Sequence, residues 1–256
     1  MSAEGEAEHR MTIGEHLDEL RRRLVRCLLA VGVMGGLAFW KMDWMVEFLR
    51  HPLLPVLEQY PGRVEMIQDT VYSGFAGAMK LAFLAGCVLA SPVILWQMWA
   101  FVGAGLYGHE RRVVKFYAIP GFLLFLAGAY LAYGFVLPLA FDFLVGYAVD
   151  ELDIGSLLRW SEHVGLVALL MFVFGLMFQL PVVMVFLMRL GVVEPDTFRR
   201  GRRMAIVGAF FLGMILTPPD VVSQCALAGC LWVLYEGAIL VGSRVAAPRT
   251  VPPEKS

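Results

Sequence analysis

The sequence predicts an all-α polytopic membrane protein with six transmembrane helices and both termini in the cytoplasm. Three observations carry this. Apolar residues fill 59% of the 256 positions and charged residues only 17%, a balance well above that of a soluble domain. The charges crowd into short stretches between apolar runs long enough to cross a hydrocarbon core of about 30 Å. Basic residues are rich in alternate connecting stretches and sparse in the others.

The runs lie at about 24–45, 72–102, 113–146, 163–190, 204–217 and 221–241. One membrane domain, 1–256, is expected, with a head helix at about 12–23 and a polar tail at about 243–256. The head carries Arg10, Arg21, Arg22, Arg23 and Arg26, and the tail Arg244, Arg249 and Lys255. Arg111, Arg112 and Lys115 follow the second run, and Arg189, Arg199, Arg200, Arg202 and Arg203 the fourth. The alternate stretches hold only Lys41, Arg50, Arg63 and Arg159 beside many acids. By the positive-inside rule the head, the tail and the two basic loops are cytoplasmic.

The head begins with a capping-box pattern, Thr12 and Glu15, and Ile13, Leu17, Leu20 and Leu24 then recur at helical spacing. A short amphipathic helix therefore runs straight into the first span. Pro52, Pro55 and Pro61 punctuate the first outer loop, which is expected to form a structured cap on the membrane surface. The fifth run, Met204 to Leu216, rises only about 20 Å. Thr217-Pro218-Pro219-Asp220 then forces a tight outer turn. So short a hairpin must thin the bilayer or lean on partners.

Several classes are disfavoured. A formal net charge of −1, with basic residues placed by topology, argues against a nucleic-acid partner. Cys27, Cys87, Cys225 and Cys230 lie in apolar runs with no CxxC pair, so they read as small core residues rather than a disulfide frame or metal site. The polar stretch before the first run does not read as a secretory leader. No HExxH, GxSxG, paired intramembrane Asp or P-loop is present, which speaks against an enzyme, and no cofactor is expected. There is no internal repeat of the kind that builds many secondary transporters.

Glu15, Glu19 and Glu110 lie toward the cytoplasmic side and invite a binding role. The competing reading is structural, because Asp18 with Arg22 and Glu19 with Arg23 are ordinary i,i+4 pairs. Within the spans, Lys80, Asp142 and Glu236 are read as snorkelling toward span ends, with Ser223-Gln224 a further polar pair. Gln179 is deeper, and either lines an intramembrane cavity or bonds a carbonyl freed by Pro181. Gly32, Gly35, Gly36 and Gly128 mark close helix packing. A small-molecule or ion carrier using Lys80, Gln179 and Glu236 is the rival reading, though no broken or paired halves support it.

His16-Leu17-Asp18-Glu19-Leu20-Arg21-Arg22-Arg23-Leu24 resembles the HLxELRxRL head of the TatC family, the receptor core of twin-arginine protein translocation. The likeness continues through residues 91–101 (SPVILWQMWAF), 106–112 (LYGHERR), Phe174-Gly175 and 178–181 (FQLP). It closes with 216–224 (LTPPDVVSQ) and Leu234-Tyr235-Glu236, so the blocks keep the family's order from 16 to 236.

The resemblance implies six spans, a glove-like concave bundle, and a cytoplasmic site for signal peptides bearing two adjacent arginines. Glu19 and Glu110 would receive the arginines, Arg21 and Phe101 would shape the site, and Leu20 would pack beside them. Carboxylates suit that task, accepting bidentate guanidinium bonds that lysine does not reproduce. It also implies TatA and TatB type single-span partners, self-association, the bacterial inner membrane, and energy from the proton-motive force. Met214, Thr217 and Gln224 are expected to dock a partner helix at the outer end of the short hairpin. Pro52, Pro92, Pro181 and Asp220 are expected to be structural. Two positions depart from the family's pattern: Ala104 and Gly105 precede Leu106 where a proline is common, and Gln179 stands where many members carry glutamate.

Overall fold

Apolar runs this long satisfy their backbone in lipid only as helices, and helices dominate the chain. The computed structural model describes residues 13–68, 70–104, 110–216 and 221–246, with Ile13, 110–116 and Leu216 as backbone alone. Helix α1, Ile13–Trp40, joins the head to the first span without a break. At Lys41 the chain turns into the cap: α2 (Met42–Arg50), a 3-10 turn (His51–Leu53) and α3 (Leu54–Gln59). Pro52 sits buried in that turn.

The cap is tied down from below. His163 donates from Nε2 to the carbonyl of Leu49 (3.1 Å), and the Tyr133 hydroxyl donates to that of Phe48 (2.7 Å). Met45, Leu49 and Leu53 enter the same core cluster as Val164 and Phe174. Strand β1, Val64–Ile67, pairs in parallel with β2, Ser156–Arg159, in the register Val64 to Ser156, so the two outer loops are joined. This small sheet was not expected from the sequence.

The second span is bent. Helices α4 (Ser73–Leu89) and α5 (Ser91–Ala104) meet at 53°. Pro92 stands in the first turn of α5, where its missing N–H costs no hydrogen bond. Helix α6 (Glu110–Leu131) continues through a π-helical turn into α7 (Leu137–Gly146). Helices α8 (Trp160–Met177) and α9 (Leu180–Arg189) form the fourth span, with Pro181 likewise at the start of α9. Gly191, at φ +70°, then ends α9 in a left-handed cap, Val192 N–H bonding Leu187 O. The chain finishes with α10 (Pro195–Arg200), α11 (Arg202–Leu216) and α12 (Val221–Val245).

Among the described residues four helical stretches are long and apolar enough to cross a membrane: Gly14–Trp40, Tyr117–Glu151, Trp160–Arg189 and Val221–Val245. The bent α4–α5 pair adds a fifth. Helix α11, at 15 residues, rises only about 22 Å.

Packing confirms some glycine expectations and redirects others. A Cβ at Gly128 would stand 2.6 Å from the carbonyl of Phe174, and one at Gly35 would stand 3.1 Å from that of Ala82. Gly32 and Gly36 meet nothing within 4 Å, whereas Gly86, unremarked in the sequence, lies directly on Gly35. The cysteines are not core residues: Cys225 is exposed and the other three are half-buried. They face the surface that apolar composition prepares for lipid, which an apolar run does not distinguish from a protein interior.

Candidate functional site

The amphipathic head of α1 packs with its polar stripe inward. Leu17, Leu20 and Leu24 are exposed, while His16, Glu19 and Arg23 are half-buried against α5. Positions three and four apart share a helix face, so these three side chains form one line. His16 stacks on Phe101, with ring centroids 4.4 Å apart. Arg23 donates to Gln97 Oε1 at 3.1 Å and pairs with Glu19, whose second oxygen lies 3.8 Å from Arg22 Nε.

Glu19 is therefore already guanidinium-bound, by Arg23 on its own helix. Its side chain is 19% exposed and that of Arg23 is 12%, so the pair is partly desolvated rather than a solvated surface bridge. Arg23 has a second anchor in Gln97. A competing guanidinium at Glu19 thus leaves Arg23 with one polar partner.

The expected site residues divide between two faces. Glu19 and Phe101 meet through His16, whereas Leu20 and Arg21 are exposed, Arg21 lying about 200° round the helix from Glu19. Glu110 opens α6, an end that favours an acid through the helix dipole, but its side chain lies outside the described residues. His16 and Gln97 were missed in the sequence. His16 precedes Glu19 by three residues and Gln97 precedes Phe101 by four, and those spacings place each beside its partner.

Gln179 is 4% exposed and donates from Nε2 to the carbonyl of Gly121 at 2.8 Å. It joins α9 to α6, and the acceptor is not the carbonyl that Pro181 frees. A Cβ at Gly121 would stand 3.0 Å from Gln179 Oε1 and 3.3 Å from Trp99 Nε1, so three helices converge on this glycine. Glu236 forms a two-pronged ion pair with Arg202, both contacts at 2.7 Å. Lys80 lays its stem across Gly165 of α8. Asp142 is exposed.

At the outer hairpin, Met214 is exposed and Gln224 donates to the carbonyl of Phe210 at 3.0 Å, tying α12 to α11. Thr217 and Asp220 lie outside the described residues. No group of three or more His, Cys, Asp or Glu among the described residues is placed to hold a metal.

The family model for the Sec-independent protein translocase protein TatC matches residues 15–229. The chain is 38% identical to the Sec-independent protein translocase protein TatC of Escherichia coli (strain K12) over 222 residues, covering 86% of this chain and 84% of that protein. It is 36% identical to the Aquifex aeolicus (strain VF5) protein of the same name over 232 residues, covering 91% and 95%. A crystal structure of the twin arginine translocase receptor TatC superposes with a TM-score of 0.79 at 36% identity, covering 89% of this chain and 99% of that one. With the helical membrane architecture and the ordered motifs, these likenesses establish that the chain belongs to the TatC family of protein translocase components.

Proposed function

We propose that this chain is the signal-peptide receptor of a twin-arginine translocase in the bacterial inner membrane, crossing it six times with both termini in the cytoplasm. Paired arginines of a signal peptide are received by Glu19 and Glu110. TatA and TatB type single-span subunits dock at the outer end of the α11–α12 hairpin, around Met214, Thr217 and Gln224. Further copies of the chain join the same complex, and the assembly passes folded proteins across the membrane using the proton-motive force. The short α11 supports this reading, since a span of about 22 Å is mismatched to a core of about 30 Å and favours local thinning.

The observation that carries the reading is the state of Glu19. It is a half-buried carboxylate already shaped to a guanidinium, on a polar stripe that is braced against α5 by Arg23 to Gln97 and His16 to Phe101. An incoming arginine exchanges with Arg23, guanidinium for guanidinium, so the net gain at Glu19 is small. Affinity then depends on the second acid, Glu110, which has its own charge-assisted bond to give, worth about 1.5–3 kcal/mol.

Glu110→Gln tests this, because it keeps the shape and removes the charge. Binding of a paired-arginine peptide should weaken about tenfold to a hundredfold, while a paired-lysine peptide, weak from the start, changes far less and assembly with partners persists. Equal loss for both peptides, or unchanged affinity, refutes the acidic seat.

A further inference from the structure

Helices α9, α11 and α12 leave a cavity of about 290 Å³ between them. Leu180, Met184, Ala205, Gly208, Leu212 and Trp232 are among its walls, and nearly every wall atom is apolar. Gly208 faces open space, for a Cβ there meets nothing within 4 Å. Leu180 and Trp232 are 47% and 46% exposed, so the cavity opens sideways toward the bilayer.

Size decides what fits. The volume is roughly twice that of a 150 Å³ apolar cavity that takes one benzene ring. A transmembrane helix, about 10–12 Å across, is far too large. From Ala205 to Leu212 the wall runs about 10 Å along α11, a length suited to a segment of one hydrocarbon chain.

Charge decides what the chain is attached to. At the end of the cavity marked by Phe198, Ala205 and Tyr235, Arg202 follows the cavity-facing row of α11 back by three residues and clasps Glu236. The Tyr235 hydroxyl donates to Phe198 O at 2.7 Å and fixes that rim. Arg199 is occupied by Asp196. Arg200 and Arg203 are exposed and have no ion pair among the described residues, so the rim carries net positive charge at the end of an apolar slot.

We propose that this cavity is a binding site for an anionic phospholipid, with one acyl chain between α9, α11 and α12 and the headgroup phosphate held at Arg200 and Arg203. Phosphate and arginine form charge-assisted, often bidentate bonds, and the acyl segment fills space that a short α11 leaves unpacked. The site makes no use of Glu19 or Glu110 and stands independently of how the signal peptide is read.

Trp232 is its reporter. The full-length protein is placed in phosphatidylcholine vesicles, and phosphatidylglycerol brominated on its acyl chain is titrated in, against brominated phosphatidylcholine in a parallel series. Trp232 quenching is taken as the difference between the wild type and Trp232→Phe. Half-quenching is expected at a mole fraction at least about fivefold lower for the anionic lipid, the preference that one arginine near an anionic headgroup supplies. Arg200→Gln with Arg203→Gln should erase the preference. Gly208→Leu, filling the cavity, should abolish the preferential quenching, and Gly208→Ala, which meets no neighbour, should reduce it if the larger variant does not fold. Free glycerol phosphate should not compete. Equal quenching by both lipids, no quenching by either, displacement by glycerol phosphate, or a preference that survives the arginine or Gly208 variants overturns the proposal.

Discussion

A single methyl group at Gly86 should weaken the whole recognition end of the molecule. An alanine Cβ there would stand 2.8 Å from the N and Cα of Gly35 and 2.9 Å from the carbonyl oxygen of Val31. These are backbone atoms of α1, so no side-chain rotation relieves the contact. Ordinary carbon contacts lie at about 3.5–4.0 Å, which requires α1 and α4 to separate by roughly 1 Å. Overpacking of this kind costs about 1–3 kcal/mol. Gly36→Ala is the matched control, since its Cβ meets nothing within 4 Å and it lies beside Gly35 on the same helix. Both substitutions gain about 1 kcal/mol of helix propensity, so their difference isolates the clash. Thermal unfolding of the full chain in detergent should place Gly86→Ala below Gly36→Ala by about 2–10 °C. Crosslinking to a paired-arginine peptide should fall in Gly86→Ala alone, because retreat of α1 separates His16 from Phe101 and Arg23 from Gln97. Equal midpoints and equal crosslinking in the two variants would show that the helices are not held at this contact.

Gln179→Leu removes the bond to Gly121 and should cost about 0.6–1.7 kcal/mol, seen as a drop of a few degrees in the unfolding midpoint; an unchanged midpoint denies the bond a role. The Arg63 bond and charge hold the carboxyl of Asp153 below its ordinary value of 3.8. The loop pairing it supports is thus fully present above about pH 4 and is lost as pH falls through the lower folded value, so amide exchange at 64–67 and 156–159 should rise there. Asp153→Asn should show that faster exchange at every pH, and a pH-independent wild type would refute the linkage. For topology, a reporter active only outside the cytoplasm should be silent after Gly108 and Phe198 and active after Tyr60 and Gly155; activity at Phe198 would overturn the orientation.

Helix identity was legible because lipid forces it: a long apolar run has only one way to satisfy its backbone. The structured cap was legible from Pro52, Pro55 and Pro61, which cannot sit inside one continuous helix. The 53° bend before Pro92 was not, since the run is equally apolar on both sides and hydropathy carries no direction. The β1–β2 pair escaped for a different reason, as four-residue strands are too short to show a period and their partners lie in separate loops. At the site, the acids were visible as residue types, but the inward turn of the polar stripe was not. The leucines of α1 look like a core face in sequence, and in the fold they point outward because α1 lies at the edge of the bundle.

That edge position bears on how recognition works. Only 6% of the α1 span is buried, against 50% of Trp160–Arg189, so apolar packing contributes little to holding α1. Three contacts remain: Ala38 in the core near the cap, Gly35 against α4, and the polar latch of His16 and Arg23 on α5. The first two are rigid and short-range, and the third is made of exchangeable hydrogen bonds and a ring stack. A guanidinium that takes Glu19 from Arg23 therefore acts on the most replaceable of the three. Replacing Arg23 by Gln should separate holding from binding, because it leaves Glu19 unpaired while the amide can still bond Gln97. If the latch is the competitor for the incoming arginine, a paired-arginine peptide should bind Arg23→Gln severalfold more tightly than the wild type, with the larger gain at low salt. Weaker binding with the unfolding midpoint unchanged would mean that Arg23 helps to build the seat instead of occupying it.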